Sequence, residues 1–98
     1  MAQETNVASL IKDLRKQKGE SLRSAARHIG VDAAHLARIE SGERQLSGSL
    51  GERVSDYYDV DPDMVEIAAG RLPRDIVSML LAHPEEFRTL RERYGTDA

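Results

Sequence analysis

Residues 21–42 read SLRSAARHIGVDAAHLARIESG, and the spacing of the apolar side chains in that stretch decides the fold. Leu22, Ala25, Ala26 and Ile29 fall at i, i+3, i+4 and i+7, the one-face pattern of an amphipathic helix. Ser21 offers an N-cap oxygen at its start, and Gly30 stops it. After the turn Gly30-Val31-Asp32, Asp32 is placed to cap a further helix running from Ala33 to about Ser41. Its Leu36 and Ile39 point inward, while Ala33, Ala34, Ala37, Arg38 and Ser41 point outward. Gly42 closes it.

Working outward, Val7, Leu10, Ile11 and Leu14 predict a preceding helix from about Val7 to Gln17, ended by Gly19. Beyond the loop Glu43 to Ser47, the residues Leu50, Val54, Tyr57 and Tyr58 predict a fourth helix whose start is weakened by Gly48 and Gly51. Asp61-Pro62 is a cap followed by proline at the first helical position, and Met64, Val65 and Ala68 give the stripe of a fifth helix ending at Gly70. Pro73 opens a sixth, Arg74 to about Ala82, and Pro84 a seventh, in which Phe87, Leu90 and Tyr94 read as core. No segment alternates like a strand, and there is no repeat or long connector. The expectation is an all-α protein of about five helices with two additional C-terminal helices, a single domain over 1–98 divided into a core at 7–61 and C-terminal helices at 62–94.

The chain has 98 residues, 14 Lys plus Arg against 17 Asp plus Glu, three His and neither Cys nor Trp. Without thiols there is no disulfide, no cysteine nucleophile and no Cys-ligated metal, so helix packing must carry stability. The polar start and the lack of a long apolar run give no signal peptide and no membrane span, which points to the cytoplasm. The net charge of −3 is unevenly spread. Residues 1–53 hold nine basic and seven acidic groups, a balance of +2, whereas residues 54–98 hold five and ten, a balance of −5.

Two short helices joined by a tight glycine turn, the second presenting small and polar side chains, form the arrangement that lets a helix enter the DNA major groove. The string Ser21 to Asp32, followed by Leu36, Ile39, Glu40, Gly42 and Arg44, closely resembles the lambda-repressor-like, Xre/Cro-type helix-turn-helix family of bacterial and phage regulators. The match runs without a gap from about Leu10 to Val60. The resemblance implies an internal ion pair between Arg15 and Glu40 and base contact by Ala33, Ala34, Ala37 and Arg38. Alanine touches a thymine methyl but cannot make a bidentate hydrogen bond, so discrimination falls mainly on Arg38, suited to guanine O6 and N7. Phosphate contact is expected at the amino terminus of the second helix, around Ser21 and Arg23, with His35, Arg44 and Gln45 flanking it. Many family members carry Gln where this chain has Leu22, so one polar contact is given up. Lys18 and Arg27 read as an ordinary solvated face.

The acidic third would repel phosphate and needs another role. In the sixth helix Ile76, Val77, Leu80 and Leu81 belong to a broad apolar face that is either covered by the fifth and seventh helices as core or meets a second subunit or a protein partner. The resemblance implies a homodimer on duplex DNA, with recognition helices about 34 Å apart, acting as a repressor at an inverted-repeat operator. A protein-interaction module or an antitoxin- or immunity-type regulator is the alternative reading. Catalysis has no support: no zinc-protease motif or phosphate loop is present, and His28, His35 and His83 lack ligand spacing. No cofactor and no metal is expected.

Overall fold

The computed structural model describes residues 6–95, and these are helical with no strand among them. They divide into two compact units, residues 6–71 and 72–95.

In the first unit α1 spans Val7–Gln17, α2 Leu22–Ile29, α3 Ala33–Glu40, α4 Gly48–Tyr58 and α5 Pro62–Ala68. Local chemistry sets the starts. Asn6 and Ser9 form a capping box on α1, and the side chains of Ser21, Ser47 and Asp61 accept from backbone amides of Ser24, Leu50 and Asp63. One expected cap is missing, since the Asp32 side chain makes no hydrogen bond to α3. Gly30 ends α2 at φ 85°, a left-handed conformation that a Cβ would strain.

The core gathers Ile11 from α1, Ala25, Ala26 and Ile29 from α2, Leu36 and Ile39 from α3, Leu46 from the loop, Leu50 and Val54 from α4, and Val65 from α5. Ala25 is fully buried, which lets α2 approach its neighbours closely. Packing revises one boundary. α5 lies against α1 and α4 with Val65 only 1% exposed, so it belongs with residues 6–71 instead of grouping with the C-terminal helices.

The second unit holds α6, Arg74–Ala82, and α7, Glu85–Tyr94, each opened by a proline at its N-cap. Neither helix has a buried residue. Phe87, Leu90 and Tyr94, expected in the core, are exposed, because a unit of two short helices has too little surface to enclose a core of its own. Of the proposed partner face on α6, Ile76 and Leu80 are half-buried, while Val77 and Leu81 are exposed, Leu81 by 73%.

Candidate nucleic-acid interface

Three ties hold α3. The Arg15 guanidinium donates from Nε to Glu40 Oε2 at 2.8 Å and from Nη2 to Oε1 at 3.0 Å, a bidentate pair joining α1 to the end of α3. Its remaining nitrogen, Nη1, donates to the Glu20 carbonyl at 2.9 Å, so one side chain also anchors the segment leading into α2. Both partners are largely shielded, with side-chain exposures of 13% and 6%, and the hydrogen bond to Glu40 pushes the Arg15 pKa upward. The Arg38 carbonyl forms the second tie, accepting from the Glu43 amide at 2.8 Å, the Arg44 amide at 3.2 Å and the Ser41 hydroxyl at 3.0 Å. These bonds fold the loop carrying Arg44 and Gln45, both exposed, back onto the end of α3.

Arg53 supplies the third tie, and the sequence reading had no role for it. Its Nη1 reaches from α4 to the carbonyls of Gly30 at 3.1 Å and Ile29 at 3.5 Å, gripping the turn between α2 and α3. A Cβ at position 30 would meet that nitrogen at 3.1 Å, a second reason for glycine there.

On α3 the exposed positions are Ala34 and Arg38, one turn apart. Ala33 departs from the outward reading: it is half-buried against the core, because it lies one turn before Leu36 and shares part of its face. Ala37 and His35 are also half-buried. Ala34, His35 and Arg38 line one open concavity with Ala26, Arg27, Gly30, Val31 and Asp32, about 660 Å³ in volume. Arg27, read from sequence as a solvated face, and Asp32, read only as a cap, thus lie in the same concavity as Ala34 and Arg38. At the start of α2, Ser21 and Arg23 are exposed and Leu22 packs against the core.

Behind this surface α2 is braced on α4. Glu20 Oε2 accepts from the Tyr57 hydroxyl, lies 3.5 Å from the Ser24 hydroxyl and 3.3 Å from His28 Nδ1. The His28 ring stacks on Tyr57 with centroids 5.0 Å apart, and Lys18 Nζ lies 4.0 Å from the Tyr57 centroid.

Among the described residues no group of acidic and histidine side chains could hold a metal ion, and no helix is long and apolar enough to cross a membrane.

A family model described as a helix-turn-helix domain matches residues 7–67. Among solved structures, the crystal structure of the clp gene regulator ClgR from Corynebacterium glutamicum is similar, with a TM-score of 0.58 over 95% of each chain. The two chains are 20% identical, so this likeness is one of fold. No curated protein matches the chain.

Proposed function

The chain belongs to the helix-turn-helix domain family, and on that premise we propose that it is a cytoplasmic transcriptional regulator whose α3 enters the major groove of duplex DNA. The observation that carries the reading is the pairing of exposed Ala34 and Arg38 on a helix fixed from behind by the Arg15–Glu40 pair. A reading helix must hold its side chains in register with base edges, and a shielded bidentate tie to α1 supplies that rigidity. Arg38 is the hydrogen-bonding reader, and the methyl of Ala34 meets thymine. Ala37 is a half-buried neighbour, and Ala33 contributes by packing more than by contact. Phosphate contact falls to Arg23, Arg44 and Gln45, with Ser21 and His35 at the flanks.

The regulator acts as a homodimer on an inverted repeat and represses by occupying promoter DNA. The uncovered stripes of α6 and α7 favour this, since an apolar face without a core of its own is stabilised by a second copy. The same exposed stripes favour one second reading, an antitoxin- or immunity-type regulator whose C-terminal helices hold a different protein. Neither reading needs catalysis or a cofactor.

The direct test is the salt dependence of duplex binding. Arg44→Ala should weaken binding to all sequences alike and reduce the slope of log K against log salt by about 0.9, the loss of one phosphate contact. A selective loss at one sequence with an unchanged slope contradicts the assignment.

A further inference from the structure

Few hydrogen-bonding groups are available to read bases on α3. Ala34 offers only a methyl group, leaving Arg38 as a donor. The same concavity contains an acceptor, the exposed carboxylate of Asp32. Asp32 occupies the N-cap of α3 with extended backbone, φ −67° and ψ 144°, yet its side chain bonds none of the helix amides. Asn6, Ser21, Ser47 and Asp61 all use their side chains as caps. The ion pairs among the described residues also go elsewhere. The Asp32 carboxylate thus has no hydrogen-bond or ion-pair partner among the described residues, and Asp32 lines the same concavity as Arg38.

We propose that Asp32 is a specificity-determining residue, its carboxylate accepting a hydrogen bond from the N4 amine of a cytosine next to the base read by Arg38. The inference rests on α3 being the recognition helix. A carboxylate is acceptor-only, so it suits an exocyclic amine and rejects guanine O6 and N7 or thymine O4. Between the two amines, adenine N6 is flanked by acceptors on both sides, its own N7 and thymine O4, which repel the carboxylate, whereas cytosine N4 has an acceptor, guanine O6, on one side only. Asp32 also repels phosphate, weakening binding to every sequence, and the amine bond offsets this only at the right base. Asp32 thus contributes discrimination and lowers indiscriminate affinity.

Selection from a random duplex DNA pool by the full-length wild type, Asp32→Asn and Asp32→Ala tests this. The wild-type site should contain a cytosine column that Asp32→Ala flattens, with discrimination there falling about fivefold or more. The same variant should bind unrelated duplex more tightly, because a negative charge has gone. Asp32→Asn should move the column to adenine, whose N6 and N7 suit an amide. Asparagine caps helices as well as aspartate does. A purely capping Asp32 therefore predicts an unchanged column in Asp32→Asn, and a lower Tm with uniformly weaker binding in Asp32→Ala. That pattern overturns the proposal. Sequence-independent binding by folded wild type would remove the recognition role of α3, and Asp32 with it, whereas an enriched site identical in all three proteins would remove Asp32 alone.

Discussion

Glu20 serves several neighbours with one carboxylate oxygen, and the consequence is visible in the tyrosines around it. The Tyr57 hydroxyl is pushed up to about 12 by its hydrogen bond to Glu20, with desolvation adding to the effect. Tyr58 is pushed up to about 12 mainly by burial, and the charge of Glu20 adds to it. An unfolded tyrosine ionises near 10.0, so between that value and about 12 the folded protein holds protons that the unfolded chain has lost. The stability linked to them is complete below pH 10 and falls as pH rises through that window. An ultraviolet titration should show both groups ionising late, and Tyr57→Phe should remove one of the late steps. Ionisation of both near pH 10 would contradict the Glu20 contacts. At this scale the sequence is readable where partners are close along the chain, as at Ser21 with Ser24 or Asn6 with Ser9. Tyr57 with Glu20, 37 positions apart, and Arg53 with Ile29, 24 apart, leave no local signal.

The helices of residues 6–71 are joined by a few polar ties across an apolar core, and the Arg15–Glu40 pair is the most shielded of those between elements. Removing one partner leaves a mostly buried charge uncompensated. Arg15→Met should therefore destabilise the protein by about 3–5 kcal/mol in denaturant unfolding. Replacing both partners with apolar residues, as in Arg15→Met with Glu40→Leu, should recover much of that loss. A single variant within about 0.5 kcal/mol of wild type would show the pair to be solvated. Helix boundaries were legible wherever a cap or a glycine punctuated a 3.6-residue stripe, and α1, α2 and α6 follow their patterns. The start of α4 was harder to read because two glycines weaken helix propensity. Ser47 caps the helix at Gly48, and at Gly51 an added Cβ would meet only ordinary contacts, the nearest at 3.5 Å, so packing overrides propensity there. The allegiance of α5 was illegible because a stripe such as Met64, Val65 and Ala68 says that a face is buried without saying against what.

At the scale of the whole molecule, residues 6–71 enclose a core while residues 72–95 have no buried side chain, so the C-terminal helices keep their apolar faces available. Val77 and Leu81 lie one turn apart on α6 and are exposed, which makes them suitable probes of assembly. Leu81→Glu should convert the proposed dimer to monomer in sedimentation while circular dichroism shows the helices still folded. A dimer unaffected by the charge would place the interface elsewhere. The charge does not divide in the same place, because the acidic excess lies in residues 54–71, with five acidic groups against one basic, whereas residues 72–95 hold four of each. Sequence-specific DNA reading through α3, as proposed, is tested by selection of bound sequences from a random duplex pool near physiological salt, with Arg38→Ala in parallel. The wild-type protein should enrich an inverted repeat with half-sites about one helical turn apart, and the variant should lose preference at one or two positions. Failure of the folded wild-type protein to enrich any sequence, or an identical site from Arg38→Ala, would contradict it.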